Sequence, residues 1–138
     1  MVSGHVDEAM MDAYDRQAGL LKTLAHPVRL QILDILRDGE QCVCHLEATL
    51  GLRQAYVSQQ LMVLRKAGLV ADRKDGLRVY YRVLDPSVYA VLDVARSLVS
   101  RQAQKQGHAV SFALPVSTGL RPCNCPKCAQ QASRSSAH

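Results

Sequence analysis

Residues 40–86 decide the fold and read EQCVCHLEATLGLRQAYVSQQLMVLRKAGLVADRKDGLRVYYRVLDP. Leu46 and Leu50 lie four residues apart, which is helical spacing. They predict a short helix over residues 42–50, and Gly51 is placed to end it.

A longer helix is predicted over residues 54–67. Val57, Leu61 and Leu64 fall on one face of this helix, and a glycine follows its end. The opposite face carries Ala55, Ser58, Gln59, Met62 and Lys66. A short helix, a glycine turn and a longer helix with a polar outer face form the helix-turn-helix pattern.

Two segments rich in β-forming residues come next, at residues 69–73 and 78–83. Between them lies Asp75-Gly76, which is a strong hairpin-turn signal. A basic hairpin directly after a helix-turn-helix is a wing. The fold class is therefore mainly α with a small β-hairpin wing (α+β), a winged helix-turn-helix.

Further helices flank this core. An apolar stripe predicts a first helix over residues 6–24, and Pro27 opens a second helix that ends at Gly39. Asp85 and Pro86 supply an N-cap and a first helical residue for a last helix, which fades near residue 106. The chain thus divides into a folded domain over 1–106 and a flexible tail over 107–138, rich in Gly, Pro, Ser and Gln.

Length and composition limit the class of protein. The chain has 138 residues, enough for one domain, and 48% hydrophobic with 21% charged residues is typical of a soluble globular protein. No apolar run approaches the roughly 18 residues of a membrane helix, and the polar N-terminus is no secretory signal. We expect a cytoplasmic protein without a membrane partner.

The positive charge is concentrated. The formal net charge is +5, and residues 53–84 alone hold seven basic and two acidic side chains, so the rest of the chain is balanced. A focused basic stretch favours a polyanion partner, because phosphate contacts release counterions. A solvated basic face explains the charge equally well at this point.

Five cysteines fall into two groups, Cys42 with Cys44 and Cys123 with Cys125 and Cys128. Without an export signal, clustered cysteines are more often metal ligands or redox-active groups than structural cross-links. In a regular helix, positions two apart diverge by about 200°. Cys42 and Cys44 can therefore hold one ion only if the helix start is distorted.

Residues 18–106 as a whole resemble the ArsR/SmtB family of metal-responsive repressors. The resemblance is carried by the paired cysteines, the Gln-x-x-Val-Ser recognition helix, the Leu-Arg-x-x-Gly-Leu-Val segment and the Asp-Arg-Lys-x-Gly wing. It implies a homodimer, joined through the first and last helices, that represses its own operon and leaves double-stranded operator DNA when an inducer binds. Residues 1–106 would then be the DNA-binding and dimerisation domain.

The resemblance also assigns DNA contacts. It places Ser58 and Gln59 in the major groove with Gln54 and Ala55 beside them, and glutamine can pair bidentately with adenine. Phosphate contacts are expected from Arg53 and Lys66, and wing contacts from Arg73, Lys74 and Arg78. This sequence has Gln60 where many members carry His, and Arg53 where they carry Ser.

The resemblance implies a metal site at Cys42 and Cys44, without the third local cysteine of arsenite-binding members. The missing ligands are expected from Cys123, Cys125 and Cys128, because the linker from Gln106 can span about 50 Å. Three thiolates suit As(III) or Sb(III), the favoured inducers, and four suit Cd(II), Pb(II) or Zn(II). The last helix lacks the Asp-x-His pair of zinc-sensing members, so no site is predicted there.

Two alternatives remain open. The cysteines could sense oxidants or persulfides through disulfide chemistry on the same DNA-binding fold. The winged helix could instead be a protein-interaction module with a structural zinc. We predict no enzyme, because the sequence shows no nucleophile–base pair, phosphate loop or carboxylate dyad.

Overall fold

The structure, a computed structural model, describes residues 7–113. Its elements in chain order are α1 (Glu8–Leu24), α2 (Pro27–Ile35), a 3-10 turn (Leu36–Asp38), β1 (Gln41–Cys42), α3 (Val43–Leu50), α4 (Gln54–Lys66), β2 (Val70–Asp75), β3 (Arg78–Val83) and α5 (Val88–Lys105). The order of helices and hairpin confirms the predicted winged helix-turn-helix.

The core lies between α2, α3, α4 and the sheet. Val57, Leu61 and Leu64 of α4 are completely buried, as their spacing predicts. They pack with Ile32 and Leu33 of α2 and with further apolar residues of the sheet and of α5. Because burying a large aliphatic side chain contributes about 1.5–3 kcal/mol, this stripe fixes the orientation of α4 and turns its other face outward.

The sheet has three strands in the order β1-β3-β2, one more than the sequence predicts. Gln41 pairs with Tyr81 and Cys42 with Tyr80, both antiparallel. Two residues are too few to show an alternating pattern, so this strand leaves no sequence signal. It ties the start of α3 directly to the wing.

The hairpin turn lies one residue later than predicted. Asp75 pairs with Arg78, so β2 continues to Asp75 and the two-residue loop is Gly76-Leu77. Gly76 has φ 62°, the left-handed conformation that glycine adopts without strain. Leu77 is fully exposed at the tip of the wing.

The last helix begins later than predicted, at Val88. The Asp85 carboxylate accepts a hydrogen bond from the Ser87 N–H at 2.9 Å, so residues 85–87 form a turn before the helix. The predicted N-cap, Asp85, therefore caps this turn instead of the helix itself. A side-chain hydrogen bond with Ser87 lowers the pKa of Asp85 most, and the bond from the Ser87 N–H lowers it further.

Polar contacts hold α5 on α2. The Tyr89 hydroxyl donates to the Leu33 carbonyl at 2.6 Å, and burial raises the pKa of Tyr89 to about 12. Arg96 pairs with Asp34, and Arg37 pairs with Asp93 at 2.9 Å. These contacts join α5 to α2 and to the 3-10 turn that follows α2, so the position of α5 does not depend on apolar packing alone.

Both terminal helices keep exposed apolar residues. They are Met10, Met11, Tyr14 and Leu21 on α1, and Val91, Val94, Leu98 and Val99 on α5. Larger exposed apolar patches mark interaction surfaces. Their position agrees with the expected dimerisation through the first and last helices.

The core position of α4 gives a stability prediction. Leu61→Ala is expected to lower the free energy of unfolding by about 2–5 kcal/mol, because it leaves a cavity beneath the helix. The neighbouring Met62 is 48% exposed, so Met62→Ala should change that free energy by about 0.5 kcal/mol or less. Urea unfolding followed by circular dichroism measures both, and equal losses would contradict the packing described.

Candidate nucleic-acid interface and thiol site

The outer face of α4 presents the predicted base-contacting residues. Gln54, Ala55 and Gln59 are exposed, and Ser58 is half-buried on the same helix. The helix has Arg53 at its N-cap, without a side-chain capping bond, and Lys66 in its last turn. The helix therefore offers amide and hydroxyl groups along one side and a cation at each end.

Gln60 departs from this outward arrangement. It is one of two buried polar residues in the described part of the chain. The residue at this position faces inward, where the side chain contributes to packing and not to an external contact. The presence of Gln60 where many family members carry His therefore affects the packing of the domain interior.

Two basic residues of the wing are engaged to different degrees. Arg73 donates to Glu40 at 2.6 Å and lies over the Tyr80 ring at 4.7 Å, and the hydrogen bond to Glu40 raises the pKa of Arg73. Lys74 is exposed and forms no ion pair within residues 7–113. Of the predicted wing contacts, Lys74 is thus the most available to a polyanion, while Arg73 links the wing to the segment before β1.

Cys42 and Cys44 are joined by a disulfide, with their Cα atoms 5.3 Å apart. Cys42 precedes α3 in an extended conformation (φ −76°, ψ 153°), and its sulfur accepts a hydrogen bond from the His45 N–H at 3.2 Å. The regular-helix divergence therefore does not apply, and the two sulfurs converge. From the sequence, metal binding or redox chemistry was favoured over a structural cross-link. Converging sulfurs allow metal binding as well as redox chemistry.

The two cysteines differ in exposure. Cys42 is only 1% exposed and packs against Tyr80, whereas Cys44 is half-buried. Solvent and small reagents therefore reach this pair from the Cys44 side.

A cavity of about 330 Å³ connects the thiol pair with the DNA-facing residues. Its wall includes both cysteines, Gln54 and Ser58 of α4, and Arg78 of the wing. The sequence gives no signal for this cavity, because it forms where α3, α4 and β3 meet. Anything held at the sulfurs consequently lies beside the first turns of α4.

The described residues do not complete a metal site by themselves. Within residues 7–113, no group of three or more His, Cys, Asp or Glu side chains is placed to hold an ion. The predicted tail ligands Cys123, Cys125 and Cys128 lie outside the described residues. None of the helices in 7–113 combines the length and apolar character that a membrane crossing requires.

Comparison with known proteins adds a family match. The family described as bacterial regulatory protein, arsR family, matches residues 26–72. The HTH-type transcriptional regulator Rv0081 of Mycobacterium tuberculosis is 42% identical over 89 residues, which are 64% of this chain and 78% of that protein. The biofilm growth-associated repressor of Xylella fastidiosa (strain Temecula1) is 35% identical over 98 residues, 71% of this chain and 86% of the repressor.

Solved structures agree with these similarities. The crystal structure of Rv0081 superposes with a TM-score of 0.63 at 38% identity, over 69% of this chain and 96% of that one. The solution structure of the homodimeric winged helix-turn-helix DNA-binding domain Mb0332 from Mycobacterium bovis gives a TM-score of 0.62 at 27% identity. That match covers 80% of this chain and all of the other.

The exposed lysine of the wing gives a second prediction. If Lys74 contacts a phosphate, Lys74→Ala should weaken DNA binding and reduce the slope of log K against log salt by about 0.9 for each protomer on the DNA, hence by about 1.8 for a homodimer. Lys22→Ala removes the same charge from α1 and should leave the slope unchanged. Fluorescence anisotropy at several salt concentrations measures both, and an equal slope for Lys74→Ala and the unmodified protein would exclude the contact.

Proposed function

This chain belongs to the arsR family of bacterial regulatory proteins, and we propose that a thiophilic metal or metalloid, bound through Cys42 and Cys44, releases it from its operator. As(III) or Sb(III) is the favoured inducer, and Cd(II), Pb(II) or Zn(II) comes next. The observation that carries the proposal is the convergence of the two sulfurs in a cavity that Gln54 and Ser58 of the recognition helix also line.

The family and the relatives set the coarser part of the function. The chain is a transcriptional repressor of the arsR family that binds DNA, and it is not an enzyme. A protein-interaction module with structural zinc is not favoured, since the matched relatives are transcriptional regulators. The homodimeric relative and the exposed apolar residues of α1 and α5 support a homodimer.

The donor set fits a soft ion in the reduced state. When the disulfide is reduced, Cys42 and Cys44 supply two sulfur ligands whose positions are fixed by β1 and by the first turn of α3. All-sulfur ligation favours thiophilic ions over Ni, Co or Mn. At least one further ligand must come from beyond these two side chains, and we propose the tail cysteines Cys123, Cys125 and Cys128 for that role.

Binding at this site would act on DNA through α3, which carries Cys44 and packs on the recognition helix. When the inducer binds the sulfurs, α3 must adjust to the new bonds, and α3 packs closely on α4. The Cys42 backbone remains paired to Tyr80, so the adjustment falls on α3 and its neighbour. In a dimer, a small change in the two α4 helices is enough to spoil their fit to successive major grooves.

A second candidate function rests on the disulfide itself. Because Cys42 and Cys44 are close enough to form a cross-link, the reduced pair can respond to oxidants or persulfides by forming this bond. The DNA-binding surface is the same in both proposals. Titration of the reduced protein with metal, against treatment with oxidant, distinguishes them.

The test is the fluorescence anisotropy of the reduced full-length protein on its own upstream promoter DNA. We expect release by about one arsenite per protomer, with cadmium weaker, which corresponds to a three-sulfur site. Release by cadmium alone would support a four-sulfur site. If neither ion releases bound DNA, the metal proposal is wrong and the redox proposal replaces it.

Variants of the pair sharpen this test. Cys44→Ser should raise the arsenite concentration needed for half-release roughly tenfold or more, because it removes one of two fixed sulfur ligands. Ser111→Ala is the matched control outside the site and should respond like the unmodified protein. An unchanged arsenite response in Cys44→Ser would show that the inducer binds elsewhere.

A further inference from the structure

The cavity beside the thiol pair contains charges that the metal proposal does not use. Arg78 lines it, and the Nη1 atom of Arg78 is buried without a hydrogen-bond partner within the described residues. A buried donor without a partner is costly, so such groups call for an explanation. Glu47 adds a carboxylate to the same wall.

The size and chemistry of the cavity suit a small ligand. At about 330 Å³ it falls at the lower end of the range of about 300–1,000 Å³ for small-molecule sites. Its wall combines the unpartnered cation of Arg78 with the accessible side of a disulfide. A ligand that matches both carries a carboxylate and a thiol.

We infer that this cavity is a covalent modification site, in which a small thiol that carries a carboxylate forms a mixed disulfide with Cys44. Arg78 would bind the carboxylate of that thiol. The inference rests on the disulfide and the cavity, and it stands independently of the proposed metal response.

The reaction is a thiol–disulfide exchange and needs no further oxidant. The incoming thiolate attacks the Cys44 sulfur, which is the accessible member of the pair, and the bond between Cys44 and Cys42 breaks. The electron pair goes to the Cys42 sulfur. The His45 N–H, 3.2 Å from that sulfur, is positioned to stabilise the resulting thiolate.

The modification would occupy space beside the DNA-facing residues. Gln54 and Ser58 line the same cavity, so a thiol held there crowds the first turns of α4. Arg78, expected to contact DNA, would be diverted to the bound carboxylate. The adduct therefore favours the DNA-free state.

The experiment uses the reduced full-length chain with Cys42→Ser, and with the three tail cysteines also changed to serine. Serine at position 42 keeps a helix N-cap residue and prevents the internal disulfide from closing again. The Cys44 thiolate then attacks oxidised glutathione, forms the same mixed disulfide and releases one glutathione thiolate. Mass spectrometry of the tryptic peptide 38–53 measures the initial rate.

Arg78→Met is expected to slow this rate about fivefold, the value of one net hydrogen bond. Arg82→Met removes the same charge from an exposed site on the same strand and should have no effect. Cystamine, which has ammonium groups but no carboxylate, should react equally with all variants. Arg78→Lys retains the charge and serves as a second variant if Arg78→Met does not fold, which thermal unfolding shows; it should slow the rate less.

Two results would overturn the inference. One is a glutathione rate that does not depend on Arg78, and the other is the absence of an adduct at Cys44. The corresponding Cys44→Ser chain, which retains buried Cys42, should react roughly tenfold more slowly; equal rates would also contradict the assignment. Neither result bears on release by arsenite, which is measured on DNA with the unmodified chain.

Discussion

The backbone of Cys42 is the constraint on which the rest of the arrangement depends. It ends a two-residue strand that pairs with Tyr80 and Tyr81, and it caps α3 through its sulfur. One residue thus belongs to the sheet by its main chain and to the helix-turn-helix by its side chain. Since Cys42 cannot turn without breaking strand pairing or the cap, the sulfur position is fixed relative to both the wing and the recognition helix.

This arrangement brings the chemistry of the sulfurs close to the DNA-binding surface. Packed helices and a shared cavity connect the sulfurs to that surface. This connection does not rely on the ion pair of Arg73 with Glu40, since exposed ion pairs contribute little to stability. Close-packed interiors transmit small displacements, because a side chain cannot shift unless its neighbours also move. A bond formed or broken at Cys44 therefore affects α3 and α4 first.

The sequence allows the fold to be predicted where a sustained pattern exists. The spacing of Val57, Leu61 and Leu64 gives α4, and Asp75-Gly76 locates the hairpin to within a residue. The sequence contains no indication of β1, which is too short to show an alternating pattern. It contains none either of the turn at 85–87, where the Asp85 side chain accepts a hydrogen bond from a residue that precedes the helix. Side-chain pattern predicts long elements, whereas short ones depend on tertiary pairing.

The candidate site was predictable in its residues but not in its geometry. The spacing of Cys42 and Cys44 indicated a thiol site, and whether the sulfurs could meet depended on a helix start that only the structure defines. The engagement of Arg73 by Glu40 is likewise a contact between residues 33 positions apart, which no local pattern encodes. The cavity joining Cys44, Ser58 and Arg78 arises from three elements and has no counterpart in the sequence.

Hydrogen exchange of the reduced protein, with and without arsenite, measures whether binding at the sulfurs reaches the recognition helix. We expect arsenite to change amide exchange in α3 and in the first turns of α4, and Cys44→Ser to remove this change. A response confined to residues 107–138, with α3 and α4 unaltered, would contradict that expectation, because the inducer would then be bound without reaching the recognition helix.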